Sequence, residues 1–200
     1  LMVEMAAKGE VMNVYNTLPQ TGIAVCAPVE ESDTVTLYAE PDESSDMLFH
    51  YYSGTVAEAL EVQRAWIRVR IGQGEAALEG WMPARDLTYG VWRERDVAHV
   101  VRWYTAEAGE QAVYAAPDEN AKVLRQTLPS EIVEVNGIGT DDWVQLSWYD
   151  NEPATGFARL GDDTELGKPM RAEVYHVNPL DDELSFEEAE EKAREYAWQY

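Results

Sequence analysis

Hydrophobic and polar residues alternate along short stretches of this chain, and turn residues separate the stretches. Val35, Leu37 and Ala39 alternate with polar or aromatic neighbours, and Trp66–Ile71 alternates in the same way. Alternation with a period of two predicts strands that bury one face. The segments between them are rich in Gly, Pro, Asp and Ser, which favour tight turns. The pattern therefore predicts short antiparallel strands.

The C-terminal segment 185–200 has a different pattern. Ser185 and Glu188 form a Ser-x-x-Glu capping box, which marks the start of a helix. From Phe186 to Tyr200, apolar residues recur at helical spacing, with charged residues on the opposite side. The segment is predicted to be an amphipathic α-helix that packs against the rest of the chain, because an isolated helix of this length is marginal in water.

The strand pattern occurs twice. The matching segments are TLYAEPDE at 36–43 and AVYAAPDE at 112–119, WIRV at 66–69 and WVQL at 143–146, and GWM at 80–82 and GFA at 156–158. Tyr38 and Tyr114 are 76 positions apart, and Trp66 and Trp143 are 77 apart. One single-residue slip therefore falls in a turn, and the register is otherwise kept. This spacing predicts two small domains in tandem.

The order Leu-Tyr-x-x-Pro, Trp-x-x-Val and Gly-Trp/Phe resembles the bacterial SH3-like domain called SH3b, over about 34–90 and 110–160. The resemblance implies a small antiparallel barrel found mostly in extracytoplasmic bacterial proteins. It also implies a targeting or ligand-binding module beside cell-wall enzymes. The family commonly carries Asn-Val-Arg and Gly before the proline, where this chain has Tyr38-Ala-Glu40 and Tyr114-Ala-Ala116. The resemblance therefore implies no specific wall ligand.

The expected fold is mainly β, with two tandem small SH3-like antiparallel barrels and a C-terminal α-helix. The expected divisions are an N-terminal extension with a leading strand at 1–33, barrel 1 at 34–90, a linker with the leading strand of the second copy at 91–109, barrel 2 at 110–166, and a strand plus helix at 167–200. A module of about 60 residues buries only about 60% of its unfolded surface. The two modules are therefore expected to pack on each other.

The net charge restricts the partners. It is −23, from 38 acidic and 15 basic residues. Such a charge repels phosphate backbones and anionic surfaces, so nucleic-acid binding is not expected, and cationic or neutral partners are favoured. No segment has the ~18–20 consecutive apolar residues of a membrane-spanning helix, so membrane insertion is not expected. The charge also favours solubility.

The sequence contains none of the residue spacings that mark common catalytic or metal sites. Cys26 is the single cysteine, and its small apolar neighbours indicate a packing residue rather than a nucleophile. His-x-x-x-His, Cys-x-x-Cys, His-Glu-x-x-His and Asp-x-Asp-x-Asp-Gly patterns are all missing. Acidic pairs such as Asp141-Asp142 are interpreted as solvated loop charges. The sequence therefore predicts no catalytic residue, no metal, no cofactor and no enzyme.

Aromatic residues supply the candidate site. Trp66, Trp81, Trp143 and Phe157 are at matching places in the two copies and are predicted to lie in the core. Other rings are predicted either to pack between the modules or to line a ligand groove there. The candidate ligand-binding residues are Trp92, Trp103, Tyr104, Trp148 and Tyr149.

Together these features predict a non-catalytic, extracytoplasmic bacterial binding or scaffolding module. Its expected partner is a cell-wall peptide, a neutral glycan or another protein. The alternative is the targeting or regulatory portion of a larger envelope hydrolase or sensor whose active domain lies outside this chain. Leu1 is not a natural translation start, so a leader is expected to have been removed, as in a secreted or cell-surface protein.

Overall fold

The computed structural model describes residues 19, 21–29, 32–89, 93–106, 109–162 and 164–177. These residues form a mainly β structure in which every strand pair is antiparallel, so the predicted fold class is confirmed at that level. The predicted helix at 185–200 lies outside the described residues. Within the described ranges, no helix is both long enough and apolar enough to span a membrane.

Sixteen strands and two short 3₁₀ helices, Gly74–Ala76 and Ala84–Asp86, make up the described structure. The strands are β1 (Gly22–Cys26), β2 (Thr34–Tyr38), β3 (Met47–Tyr52), β4 (Val56–Gln63), β5 (Trp66–Ile71), β6 (Leu78–Pro83), β7 (Leu87–Tyr89), β8 (Arg93–Val101), β9 (Trp103–Ala106), β10 (Ala112–Tyr114), β11 (Val123–Gln126), β12 (Val133–Gly139), β13 (Trp143–Asp150), β14 (Glu152–Arg159), β15 (Thr164–Leu166) and β16 (Met170–Val177).

The same order of strand pairing occurs twice. Strands β1–β7, here called the N-terminal set, pair in the order β3-β2-β6-β5-β4-β1-β7. Strands β9–β15, the C-terminal set, pair in the order β11-β10-β14-β13-β12-β9-β15. Even the irregularities correspond, because a bulge between Ala59 and Glu61 in β4 matches one between Val135 and Gly137 in β12. The pairing of residues 22–89 is thus reproduced strand for strand in residues 103–166.

Strand β3 joins the two sets by pairing with β12, with Tyr51 opposite Gly137 and Phe49 opposite Gly139. The result is a 14-stranded antiparallel sheet that is not closed into a barrel. The expectation of two small barrels is therefore corrected. The physical reason is that β3 is the end strand of its set and its outer edge pairs with β12 instead of closing onto β7.

Strands β8 and β16 form a separate two-stranded sheet. The strands predicted within 91–109 and 167–200 are both present, as β8 and β16. However, the counterpart of β1 in the C-terminal set is β9 and not β8. In the N-terminal set β1 pairs with β4 and β7, and in the C-terminal set β9 pairs with the corresponding strands β12 and β15. Strand β8 thus takes a different place from the one that the sequence predicted.

The largest hydrophobic cluster contains side chains from both sets. Trp143 and Phe157 of the C-terminal set pack with Leu37, Phe49 and other residues of the N-terminal set. The rings of Phe49 and Phe157 meet edge to face, with their centroids 5.7 Å apart. The sets are therefore joined by a shared core as well as by strand pairing, as the small size of each module predicted.

The matching tryptophans have the same ring partner but different exposure. Tyr38 meets Trp66, and Tyr114 meets Trp143, in both cases edge to face with centroids 5.6 Å apart. Trp143 is only 6% exposed, which confirms its predicted burial. Trp66 is only half-buried, and so is Trp81, so their predicted core positions were wrong. Trp143 belongs to the shared core, whereas Trp66 does not.

Candidate ligand-binding face

The five predicted site residues do not form one group. Trp103 is 37% exposed and Tyr149 is 75% exposed, so both rings are accessible. Tyr104 is fully buried, and Trp148 is half-buried against the core of the C-terminal set. Trp92 lies outside the described residues. Trp103 and Tyr149 are therefore the two rings that a ligand can reach from the surface.

Strand register places these two rings on one face of the sheet. Trp103 on β9 is opposite Glu134 on β12, and Glu134 is opposite Ser147 on β13. Directly opposite residues in antiparallel strands point to the same side. Tyr149 is two positions beyond Ser147, so it shares that side, as residues i and i+2 do in a strand. We call this surface the Trp103 face.

Two further side chains complete the Trp103 face. Ile132 immediately precedes β12, two positions before Glu134, so the alternation of the strand carried back by one residue puts it on the same side, and it is 67% exposed. The exposed Glu165 is opposite Thr105, which is two positions beyond Trp103. The Trp103 face is thus defined by the apolar residues Trp103, Ile132 and Tyr149 with the polar residues Glu134, Ser147 and Glu165.

Polar contacts order the residues at the centre of this face. His99 Nε2 lies 3.3 Å from Glu134 Oε1. The Ser147 hydroxyl donates to Asn136 Oδ1 at 3.0 Å, and Thr55 of the N-terminal set donates to the Asn136 carbonyl at 3.2 Å. Both His99 and Glu134 are mostly shielded, with side-chain exposures of 16% and 32%. The face is therefore preorganised and lies beside the junction of the two sets.

The junction is held by hydrogen bonds as well as by the shared core. The Gln73 backbone N–H donates to Thr155 Oγ1 at 2.6 Å. The buried Gln145 amide donates to the carbonyls of Ala76 at 3.0 Å and Ile71 at 3.4 Å. Because Thr155 is opposite Ser147, the first of these contacts borders the Trp103 face directly. Residues of the N-terminal set thus form one edge of the face.

Tyr104 and Trp148 support the Trp103 face from beneath. Tyr104 is opposite Val133 in the core of the C-terminal set, and burial raises the pKa of its hydroxyl to about 12. The guanidinium of Arg125 lies 5.0 Å from the centre of the Trp148 ring and is paired with Glu131. Burial alone would raise the pKa of Glu131, but hydrogen bonds from Arg125 and the Leu128 N–H bring it below its usual value.

The remaining reactive groups have structural surroundings. Burial, aided by the nearby charge of Asp86, raises the pKa of Cys26 to about 12, so its thiol is protonated and unsuited to nucleophilic attack. Its Sγ lies 4.0 Å from the Met82 sulfur. His50 bonds Thr36 at 2.9 Å, and burial lowers its pKa. Among the residues that the structure describes, no cluster of His, Cys, Asp and Glu could hold a metal ion.

Sequence reasoning missed five residues of this neighbourhood: His99, Ile132, Glu134, Ser147 and Glu165. The alternation in the segment Ile132-Val-Glu-Val135 was visible as a strand signal. It did not reveal which strands would become neighbours, so Trp103 could not be placed beside Glu134 from sequence.

No family model matches the chain, and no curated protein matches it. The resemblance to SH3b domains therefore stays a prediction.

Several solved structures are similar to the chain at a low level. NlpC1 from Trichomonas vaginalis is 14% identical with a TM-score of 0.32, over 74% of this chain and 46% of that one. An NlpC/P60 family protein from Bacillus cereus is 13% identical with a TM-score of 0.29, over 76% and 57%. Ly7917 with the hydrolyzing product of MDP is 13% identical with a TM-score of 0.26, over 76% and 68%. The chain spans about half the length of NlpC1.

The expectation that this chain is not an enzyme is wrong. The similar solved structures include NlpC1 and an NlpC/P60 family protein, and Ly7917 is described with the hydrolyzing product of MDP. The missing sequence motifs were not a sufficient reason for that expectation, because active sites are recognised by geometry and not by sequence position.

Proposed function

We propose that this chain is the ligand-recognition part of an extracytoplasmic cell-envelope protein, and that it binds a cell-wall peptide or a neutral glycan on the Trp103 face. The observation that carries the proposal is the grouping of Trp103, Ile132 and Tyr149 around the carboxylate of Glu134. Exposed rings with a small number of polar groups are typical of sites that bind sugars and peptides.

The charge of the molecule supports this ligand class. A net charge of −23 favours association with cationic or neutral ligands and opposes anionic ones. On the Trp103 face itself, Glu134 and Glu165 have the same sign as the whole molecule. A wall peptide with a free amino group, or an uncharged glycan, fits this field better than an anionic polymer.

The proposal includes the case in which this chain directs a larger envelope hydrolase to its substrate. In that case the Trp103 face supplies the affinity for the wall. Whether this chain also contributes to hydrolysis is answered by chromatography of the muropeptides after incubation with the chain, which separates intact from cleaved wall fragments.

The test is a titration with purified muropeptides and with neutral chitooligosaccharides, followed by tryptophan fluorescence. Trp103→Ala and Tyr149→Ala should each weaken binding about tenfold or more, as expected when an aromatic contact at the centre of an interface is truncated. Ile23→Ala is the matched control, because Ile23 is opposite Glu58 as Trp103 is opposite Glu134. The control should bind as the unmodified protein does.

Two results would contradict the proposal. One is the absence of binding of any muropeptide or chitooligosaccharide at millimolar concentration. The other is binding that survives both Trp103→Ala and Tyr149→Ala in folded protein, which would place the site elsewhere.

A further inference from the structure

The N-terminal set contains a row of residues that matches the centre of the Trp103 face. In that row Ile23 is opposite Glu58, Glu58 is opposite Arg70, and Arg70 is opposite Glu79. In the C-terminal set the corresponding residues are Trp103, Glu134, Ser147 and Thr155. The two rows lie on corresponding strands of the two sets and have the same register, so each residue in one row has a counterpart in the other.

An arginine occupies the centre of the row in the N-terminal set. Arg70 Nη2 lies 2.6 Å from Glu79 Oε1, and Nη1 lies 3.6 Å from Glu58 Oε2. The hydrogen bond and charge of Glu79 raise the pKa of Arg70, so the guanidinium is held in its charged form. The carboxylates of Glu58 and Glu79 are therefore both paired with a cation of the chain itself, the guanidinium of Arg70.

The row in the C-terminal set has the corresponding carboxylate but no arginine beside it. Glu134 is the counterpart of Glu58, whereas the short Ser147 stands where Arg70 does. Glu134 instead contacts His99, which is a cation only when protonated. The isoleucine of the first row is replaced by Trp103, and Tyr149 adds a second exposed ring.

We propose that the Trp103 face binds an arginine side chain of a polypeptide ligand, in the position that Arg70 fills in the N-terminal set. This inference rests only on the part of the proposed function that makes the Trp103 face a ligand site, and it names one group that the face recognises. The guanidinium lies over Glu134, between the ring of Trp103 on β9 and the short Ser147 on β13.

The chemistry of the face suits a guanidinium better than an ammonium. A guanidinium is planar, so it stacks on an aromatic ring while it donates to a carboxylate. Glu134 is about two-thirds shielded from solvent, which strengthens a charge-assisted hydrogen bond compared with one in water. Glu165 and the net charge of −23 add a long-range attraction for a basic segment.

The experiment compares two blocked pentapeptides, Gly-Gly-Arg-Gly-Gly and the same peptide with citrulline in place of arginine. Citrulline has nearly the same shape but no charge. The arginine peptide should bind about tenfold more tightly, because a hydrogen bond between charged groups is replaced by a neutral one. Rising salt concentration should reduce the difference, since a third of Glu134 is exposed and screened.

Variants of the chain provide the second arm. Ser147→Arg should place a guanidinium opposite Glu134, as Arg70 is opposite Glu58, and reduce arginine-peptide binding about tenfold by occupying the site. Glu134→Gln should have a similar effect without adding bulk. Arg70→Ser is the matched control, because it changes the corresponding position in the other set and should leave the affinity of the Trp103 face unchanged.

Equal binding of the arginine and citrulline peptides would overturn the inference, as would undiminished binding by Glu134→Gln. Muropeptides in the same assay separate this failure from failure of the proposed function. If muropeptides bind but arginine gives no advantage, the wall-binding function stands and the arginine inference fails. If the arginine peptide binds as expected but no muropeptide or glycan does, the arginine site stands and the wall-binding function fails.

Discussion

Among single residues, Trp143 illustrates how burial depends on the neighbours that the fold supplies. The same Tyr–Trp contact exists in both strand sets, but Trp143 also packs in the core that the sets share. Removing its ring should cost roughly 3–5 kcal/mol of unfolding free energy, as expected for a buried tryptophan. Trp66→Ala is the matched variant, and it should cost clearly less because Trp66 is only half-buried.

Urea unfolding of the two variants measures the difference. Equal losses of stability in Trp143→Ala and Trp66→Ala would contradict the role assigned to the shared core.

The buried hydroxyl of Tyr104 gives a prediction about pH. Burial raises its pKa from 10.0 to about 12 in the folded protein, whereas in the unfolded chain it ionises near 10. Because the hydroxyl ionises more readily in the unfolded chain, it leaves the unfolding free energy unchanged with pH below pH 10 and lowers it as the pH rises from 10 towards 12. Tyr104→Phe removes this titration, so the decline in stability between pH 7 and pH 11 should be smaller than in the unmodified protein.

The same variant tests the cost of the hydroxyl at neutral pH. Tyr104 Oη has no hydrogen-bond partner among the described residues. Its removal should leave the unfolding free energy at pH 7 unchanged or slightly higher, because a buried polar group without a partner is destabilising. Tyr149→Phe, at an exposed ring, serves as the control. Marked destabilisation by Tyr104→Phe at pH 7 would indicate a partner for the hydroxyl.

At the scale of secondary-structure elements, the pairing of β3 with β12 depends on two glycines. A Cβ atom at Gly137 would lie 2.6 Å from the His50 carbonyl oxygen, and one at Gly139 would lie 2.3 Å from a ring carbon of Phe49. Neither glycine has a positive φ, so the requirement is close approach and not an unusual backbone conformation. The glycines thus allow β12 to pair with β3.

Gly137→Ala should therefore destabilise the protein by about 3 kcal/mol, at the upper end of the range for overpacking. The nearest atom belongs to the backbone of β3, which cannot move without breaking the strand pair. Gly161→Ala is the control, because a Cβ atom there has open space around it. Chemical denaturation of both variants decides the matter, and similar stabilities would show that the β3–β12 pairing tolerates a side chain.

At the scale of the whole molecule, the two strand sets should unfold together. They share the pairing of β3 with β12, the core around Phe49 and Phe157, and the hydrogen bonds of Gln145. Differential scanning calorimetry should show a single transition whose calorimetric and van't Hoff enthalpies agree. Two separate transitions in the unmodified protein would mean that each set is stable alone and that the junction contributes little.

Strands are the feature of this fold that can be predicted from the sequence alone. Alternation in stretches such as Trp66–Ile71, with turn residues between them, is a local property of the chain, because a strand with one buried face needs apolar residues at every second position. The matching segments around Tyr38 and Tyr114 likewise predicted that the same arrangement of strands would occur twice. The acidic charge, which restricts the ligand class, is also a property of composition alone.

How the strands join, and which residues lie together on one face, depends on long-range contacts that no local pattern encodes. The pairing of β3 with β12 replaces closure of the barrels, and it depends on contacts between residues about 90 positions apart, for which the periodicity of either segment gives no signal. The same holds for Trp103, Glu134 and Ser147, which strand register brings into one row. Tyr104 and Trp103 are adjacent in sequence, yet one is buried and the other exposed, because successive side chains of a strand point to opposite faces.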